Sequence, residues 1–311
     1  MSVAAGAADA APVSPSDAPF GRTELALYAI TVLSWSASWY ALKINAIGEV
    51  AVPVSIAWRF LAAAAAMFVW VRLAGAPLRF GARDHLGFAG LGVFLFSTNF
   101  MLFYQASLSL VSGLLAVVFS LASVVNLVLG ALRGDLAGPR RWFGAALGAT
   151  GIALLYWPEL AGGSHAAVGL GLCVAGTLSF CIGNQLSQAL QARRVPILSA
   201  SAWGMAYGAA WSAVVAAALG EPFAFDASAP YVGSLAFLVV VSTLIAFRSY
   251  LALIGRVGAA RASYATVMFP VLALLLSTAL EGWTWTPLAL AGVALALTGN
   301  LFVLRGGRAR R

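Results

Sequence analysis

Charged residues are scarce in this chain of 311 residues, where Asp, Glu, Lys and Arg together make up 9% of the sequence. Soluble globular domains carry roughly 25% of these residues. Apolar residues, by contrast, account for 62%. A soluble globular fold is therefore excluded by composition.

Lysine and cysteine are also nearly absent. Lys43 is the sole lysine, and the sequence contains no glycine-rich phosphate loop that ends in lysine. An ATP-driven activity of this chain alone is therefore not expected, and no nucleotide is predicted as a partner. The two cysteines, Cys173 and Cys181, fall in one apolar segment. Helical residues at that spacing are about 12 Å apart, too far for a disulfide, so both are expected to pack in the interior.

The long apolar runs lack acidic residues, because every Asp and Glu falls in a loop or at a helix end. A buried carboxylate is the usual proton carrier inside a membrane. Its absence favours facilitated movement or exchange over proton coupling. No nucleophile, metal-ligand cluster or carboxylate pair lies at membrane depth either. We therefore predict no catalytic residue, no metal and no cofactor, with an intramembrane enzyme kept as the alternative from a different class.

Apolar runs of about 20 residues match the hydrocarbon thickness of a bilayer, and lipid forces such runs into helices. The sequence predicts ten spans of this kind. They lie near residues 24–43, 53–72, 86–107, 111–132, 141–157, 166–189, 196–219, 231–253, 258–280 and 284–304.

The basic residues follow an alternating pattern along these spans. Fifteen arginines fall in the loops and tails of one side, and the opposite loops hold acidic residues. The positive-inside rule then places both termini in the cytoplasm. The tails at 1–21 and 306–311 are predicted to be cytoplasmic, the first of them disordered, and Lys43 is expected to snorkel at the edge of its span. Short basic clusters of this kind do not indicate nucleic-acid binding.

An internal repeat appears when the chain is shifted against itself by 148 residues. Gly144 then pairs with Gly292, and Thr150-Gly151 pairs with Thr298-Gly299. A unit of five spans must insert upside down in its second copy. The predicted fold is therefore an all-α integral membrane protein of ten helices in two inverted repeats, 22–157 and 158–305, suited to alternating access. The alternative is that Ala- and Leu-rich helices align by composition alone.

Several motifs carry a family resemblance over about residues 24–304. They are the second-span pattern from Pro53 to Arg59-Phe60, the Ala-Ser-Tyr run with Phe269-Pro270-Val271, Leu280-Glu281-Gly282, and the glycine-rich fifth and tenth spans. On these features the chain resembles the EamA-type ten-helix exporters of the drug/metabolite transporter superfamily. The first repeat departs from the pattern, with Ala122 in the place of Pro270 and Arg133 in the place of Glu281.

Within that superfamily the chain looks most like bacterial aromatic amino acid exporters. The resemblance implies a multi-pass protein of the bacterial inner membrane that exports aromatic and other neutral amino acids. The expected partners are the amino acid and the lipid bilayer, in a monomer or homodimer. A carrier of sugars or other solutes with proton coupling is the alternative.

Candidate binding residues are polar and aromatic side chains near the expected midplane. Polar groups at that depth either join helices or face a wet cavity, and aromatic stripes are more often packing than ligand cages. A cavity lined by both would suit an amphipathic zwitterion. The predicted substrate-binding residues are Ser36, Trp39, Asn99, Phe103, Asn184, Ser242 and Phe269.

Arg59 lies about 9 Å into the second span, with no membrane carboxylate to pair with. It could bond backbone carbonyls, line water, or bind a substrate carboxylate. Pro270 in the ninth span removes a backbone hydrogen bond and is a candidate hinge. Gly204 and Gly208 permit close helix approach, either for sliding or for static packing.

Overall fold

The computed structural model describes residues 21–134, 137–161, 164–262 and 264–305. The described part of the chain is dominated by long helices. In chain order these are α1 Arg22–Ala46, α2 Val52–Leu73, α3 Ala82–Ser107, α4 Ser112–Ala131, α5 Pro139–Ala161, α6 Ser164–Ala192, α7 Ile197–Ala218, α8 Ala229–Val257, α9 Ala265–Glu281 and α10 Pro287–Arg305. Apart from Gly21, the tails predicted at 1–21 and 306–311 lie outside the described residues.

Each predicted span coincides with one of these helices. Six of them, α1, α2, α3, α4, α6 and α8, are long and apolar enough to cross a membrane, and α9 and α10 are shorter apolar helices. The lengths of α5 and α7, 23 and 22 residues, match a bilayer span of about 20 residues. An all-helical integral membrane architecture is therefore confirmed, while the full count of ten spans and the inverted repeat stay predictions.

The ninth helix begins later than its predicted start at residue 258. Gly258 ends α8 with a positive φ of 80°, and the short helix Ala259–Ala262 follows before α9 begins at Ala265. Hydropathy does not register this break, because residues 257–260 are apolar or glycine, although Arg256 and Arg261 flank them. At its other end α9 stops at Gly282, whose left-handed φ of 69° is accessible to glycine at no steric cost.

Two helices contain π-helical segments, in which one extra residue per turn leaves the helix locally wide. These are Phe94–Thr98 within α3 and Phe237–Ile245 within α8. Ser179 of α6 donates a 2.9 Å hydrogen bond to the Phe94 carbonyl, so a neighbouring helix satisfies the altered backbone. Such segments occur mostly at functional positions in helices.

Helices α5 and α10 cross at glycines. A Cβ atom added at Gly144 would lie 2.7 Å from the Gly299 carbonyl oxygen, and one added at Gly299 would lie 2.5 Å from that of Gly144. Gly151 and Gly292 face each other in the same way, at 2.5 and 2.6 Å. The two backbones therefore touch, which the small glycine side chains allow.

The apolar core runs through the middle of the bundle. Its main cluster draws residues from nearly every helix, with α1, α2, α3, α4 and α9 contributing most of the fully buried side chains. Cys173 and Cys181 are buried free thiols, as expected. This arrangement places the aromatic residues predicted for the site at the point where these helices converge.

Candidate functional site

An aromatic cluster forms where α1, α3, α4, α6 and α9 meet. The ring of Trp39 lies 5.1 Å from that of Phe103, 5.4 Å from Phe119, and 6.4 Å from Phe269 in a nearly parallel stack. Phe119 extends the cluster to Phe180 of α6, at 4.5 Å. Five helices thus contribute rings to one contiguous surface. Phe119 and Phe180 were not among the predicted site residues, because an isolated phenylalanine in an apolar run carries no signal of its own.

A second set of rings joins α8 to this cluster. Trp35 lies 5.0 Å from Tyr250 of α8 and 6.4 Å from Phe269. Trp35 is one turn before Trp39 on α1, so the two indoles bracket the Phe269 side chain. The cluster therefore touches both halves of the chain.

Ser36 links α1 to α9 beside this cluster. Its hydroxyl lies 2.6 Å from the Val32 carbonyl in its own helix and 3.0 Å from the carbonyl of Phe269. The residue is 1% exposed. Ser36 therefore bonds backbone in this structure, and it sits next to Pro270, through which helix α9 continues.

The described contacts bring four predicted binding residues together: Ser36, Trp39, Phe103 and Phe269. Asn99 lies one turn before Phe103 on α3, is buried, and has an Oδ1 atom with no hydrogen-bond partner among the described residues. Asn184 and Ser242 are partly exposed. The described contacts do not place either of them against the aromatic cluster. Their roles stay predictions.

An ion-pair network links three helices at the end of the bundle where α1 finishes, called here the Lys43 end. Lys43 Nζ lies 2.7 Å from Glu281 Oε1 and donates a second bond, of 3.2 Å, to the Leu110 carbonyl. Glu281 also accepts bonds from the Ser112 backbone N–H, at 3.0 Å, and from the Ser112 and Ser277 hydroxyls. The network thus joins α1, α4 and α9.

The expectation that Lys43 snorkels was wrong, because its ammonium group turns inward to a carboxylate. Glu281, counted among the acidic residues of the opposite loops, is the last residue of α9, and its side chain is only 7% exposed. The sequence did hold a usable signal. Both residues end a predicted span on the same side of the membrane, which puts the lone lysine and this acid at one depth.

A neutral hydrogen-bond network lies beside this ion pair. The Tyr104 hydroxyl donates to Asn45 Oδ1 at 3.2 Å, and Asn45 Nδ2 donates to Ser234 Oγ at 3.2 Å. The Tyr231 hydroxyl bonds Ser55 Oγ at 3.0 Å. These buried contacts join the ends of α1 and α3 to the starts of α2 and α8. Hydropathy gave no hint of this pairing.

The side chain of Arg59, a residue of α2, lies against α3, close to the same network. Its guanidinium carbon is 4.3 Å from the ring centroid of Phe100 and 5.1 Å from that of Phe60. The Tyr104 hydroxyl interacts with it as well. The side chain is 3% exposed, so Arg59 is a buried cation held against aromatic faces.

The glycines predicted to allow helix approach on α7 do so against α3. A Cβ atom added at Gly204 or Gly208 would lie 2.8 Å from the Phe96 side chain, which belongs to the π-helical segment of α3. A Cβ atom added at Gly92 would likewise lie 2.6 Å from the Gly208 backbone nitrogen. This is close packing, and sliding at these positions stays a prediction.

The two halves of α4 have different surroundings. Its first half, Ser112–Phe119, packs on α1, α6 and α9, and residues 112–118 are all buried. Its second half, Ala122–Ala131, packs mainly on α5, α6 and α10 and is mostly half-buried. Arg133, just past this half, donates a 2.9 Å bond to Gln185 of α6 at the edge of a 280 Å³ crevice between α4 and α6. We call this the Arg133 end.

Comparison with known proteins adds to this geometry. Residues 167–305 match the EamA-like transporter family. The chain is 27% identical over 263 residues to the uncharacterized inner membrane transporter YedA of Escherichia coli strain K12, with 83% of each chain covered. The YedA proteins of strains O6:H1 and O157:H7 give the same values.

A solved protein crystal structure shares the fold. It superimposes with a TM-score of 0.62 over 90% of this chain and 96% of its own, at 19% identity. The fold, the apolar helices and the sequence matches agree with one another. The chain is therefore similar in sequence to EamA-like transporters over residues 167–305 and to YedA over most of its length, and it carries several helices long and apolar enough to cross a membrane.

Proposed function

We propose that this protein exports small amphipathic metabolites, foremost aromatic and other neutral amino acids, by facilitated diffusion or exchange. The observation that carries the proposal is the aromatic cluster around Trp39, to which helices from both halves contribute. A solute ring can pack between such rings, and polar groups beside them can orient its charged end. Ser36 and Asn99 are neutral hydrogen-bonding groups on the same two helices as Trp39 and Phe103.

The contacts of α5 with α10 support an inverted repeat. Under the shift of 148 residues, Gly144 corresponds to Gly292 and Gly151 to Gly299. The shift therefore maps the Gly144–Gly299 contact onto the Gly292–Gly151 contact, and the structure contains both contacts. A two-fold axis between the helices would produce this exchange. The π-helical segments of α3 and α8, the third helix of each half, add a second correspondence.

The difference between the two ends of the bundle supports alternating access. Glu281 and Arg133 occupy corresponding positions in the repeats. Glu281 closes α9 onto α1 and α4, whereas Arg133 bonds α6 beside the crevice. In this proposal the molecule is sealed at the Lys43 end, which the arginine pattern puts outside the cell, and opens at the Arg133 end, which faces the cytoplasm with both termini.

Movement between the two states needs places where helices can bend. Helix α4 is interrupted at Ser120 and Leu121, between its two halves. Helix α9 contains Pro270, whose ring nitrogen cannot donate an intrahelical bond. Both sites adjoin the aromatic cluster, through Phe119 and Phe269. Bending there would open the Lys43 end while the Arg133 end closes.

The proposal is tested by reconstituting the purified protein in liposomes and following efflux of labelled phenylalanine, threonine and a monosaccharide. We expect phenylalanine to move fastest, threonine more slowly, and the sugar no faster than from empty liposomes. Movement of the sugar alone would overturn the amino acid assignment. An imposed pH gradient should leave the phenylalanine rate unchanged, and a strict dependence on that gradient would replace facilitated transport by proton coupling.

A further inference from the structure

Arg59 is a buried cation that uses only part of its hydrogen-bonding capacity. Its Nε and Nη1 atoms are out of contact with solvent and have no hydrogen-bond partner among the described residues. None of the ion pairs found in the described part of the chain involves it. Of the three roles open to it from the sequence, bonding to backbone carbonyls does not account for these two nitrogens.

An unpaired guanidinium at membrane depth is costly, and aromatic faces offset only part of that cost. Phe60 and Phe100 lie against the cation but cannot accept its N–H bonds, which lie in the guanidinium plane. What remains open are the N–H groups of the two unpaired nitrogens, Nε and Nη1. Each can donate to a carboxylate oxygen, since carboxylates accept bonds in the guanidinium plane.

The position of Arg59 relates these unpaired donors to the aromatic cluster. Phe60 is part of the apolar core that contains Trp39 and Phe103, and Phe100 packs against that core. Phe100 precedes Phe103 by one turn of α3. A solute whose ring lies among the cluster could therefore extend its charged end along α3 towards α2.

We propose that Arg59 binds the carboxylate of the transported solute and so makes a carboxylate a requirement for recognition. This inference rests on the proposed transport of amphipathic solutes, and it narrows their class to aromatic or other apolar carboxylates, amino acids among them. Tyr104, which contacts the guanidinium and bonds Asn45, connects occupancy of the site to the neutral network at the Lys43 end. Binding of a carboxylate to Arg59 would therefore alter the hydrogen bonds of the neutral network at the Lys43 end.

The first test measures ligand binding without transport. Thermal unfolding of the detergent-solubilised protein is followed by tryptophan fluorescence with phenylalanine, phenylacetate, phenethylamine or chloride added. We expect phenylalanine and phenylacetate to raise the unfolding temperature and phenethylamine, which lacks a carboxylate, to leave it unchanged. A shift with chloride as large as that with phenylacetate would mean a resident inorganic anion and would overturn the carboxylate assignment. No shift with either carboxylate would overturn it as well.

The second test compares Arg59→Gln and Arg59→Lys with Arg248→Gln, which removes a charge from an exposed position in the span of α8. Arg59→Gln should weaken phenylacetate binding at least tenfold, Arg59→Lys should retain part of it, and Arg248→Gln should match the wild type. Without ligand, Arg59→Gln should unfold no lower than the wild type, because it removes a buried charge that forms no ion pair with the described residues. A lower unfolding temperature with unchanged phenylacetate binding would make Arg59 a structural residue.

Different results would refute the carboxylate site and the export function. If wild-type protein binds phenylacetate through Arg59 but liposomes release no phenylalanine, the carboxylate site is supported and amino acid export is refuted. If phenylalanine is transported with the same KM by Arg59→Gln and wild-type protein, export stands and the site is refuted.

Discussion

Glu281 at the end of α9 accepts a 2.7 Å hydrogen bond from Lys43 at the end of α1, and the same carboxylate accepts the backbone N–H of Ser112 at the start of α4. One acidic side chain thus holds three helices together. The pair is shielded from water, with Glu281 7% and Lys43 24% exposed, so its attraction is less screened than that of a surface ion pair. In a transporter this is a natural place for a gate.

Replacing this carboxylate should weaken the seal. Glu281→Gln leaves Lys43 without its counter-ion, and charged hydrogen bonds contribute about 1.5–3 kcal/mol each. We expect the variant to lose about 2 kcal/mol of stability, measured as a lower unfolding temperature in detergent. In liposomes the balance between the two states should shift away from the one sealed at the Lys43 end.

The control is Glu24→Gln. Glu24 pairs with Arg256 at 2.9 Å, but that arginine is 53% exposed, so the change should lower the unfolding temperature much less than Glu281→Gln does. Equal unfolding temperatures for Glu281→Gln and Glu24→Gln would contradict the assignment of the Lys43 pair as a seal.

The glycine crossing of α5 and α10 makes a second prediction. A Cβ at Gly151 would lie 2.4 Å from the Ala296 backbone nitrogen, which cannot move without displacing α10. Gly151→Ala should therefore destabilise the protein by about 1–3 kcal/mol through overpacking. Gly171→Ala on α6 meets open space and should be neutral or stabilising, since alanine favours helices. The measurement compares the thermal unfolding temperatures of the two variants. Equal unfolding temperatures would rule out a tight crossing of α5 and α10.

The sequence predicted the helices well because burial in lipid dictates them through composition alone. Helix ends were harder, as the start of α9 illustrates. Gly258 turns the chain there through a conformation that hydropathy cannot register. The π-helical segment of α3 could not be predicted either. The Phe94 carbonyl in this segment accepts a hydrogen bond from Ser179, a residue distant in the chain.

The candidate site was predicted in part. Trp39 and Phe269 lie together, as expected of aromatic residues at one depth in neighbouring helices. Lys43 was misread because a single-sequence argument treats each charge by its depth and cannot see a partner 238 residues away. The hydrogen-bond partners of Asn45 could not be predicted either, because polar pairs between helices produce no periodic pattern in the sequence.

The stack on Trp39 supports a third prediction, about solute binding. Trp39→Leu keeps an apolar side chain but removes ring contacts to Phe103 and Phe269. A solute ring packed against the Trp39 indole would lose an aromatic pair that contributes about 0.5–1.5 kcal/mol beyond burial, so the KM for phenylalanine efflux should rise roughly two- to tenfold. Trp157→Leu is the control, because Trp157 on α5 is 67% exposed. If the two variants have the same KM, the Trp39 cluster is only a packed core.

The last prediction concerns the antiparallel arrangement of the two halves. Ala74 follows α2 and Ala227 precedes α8, so both lie in loops after the second helix of a half. Both are exposed, and the two native cysteines are buried. Ala74→Cys and Ala227→Cys, each made in a Cys173→Ala, Cys181→Ala background, can therefore be labelled singly with a maleimide that does not cross membranes.

In an inverted repeat these two loops must lie on opposite sides of the bilayer, whereas a parallel repeat would put them on the same side. The arginines at 72, 79 and 83 assign the first loop to the cytoplasm, while the loop containing Ala227 carries Glu221 and Asp226 and no basic residue. In intact spheroplasts only Ala227→Cys should be labelled, and Ala74→Cys should react once the membrane is permeabilised. Labelling of Ala74→Cys alone would reverse the orientation but keep the two inverted halves. Labelling of both would remove the inverted repeat, and with it the two-fold relation between Glu281 and Arg133 on which alternating access depends.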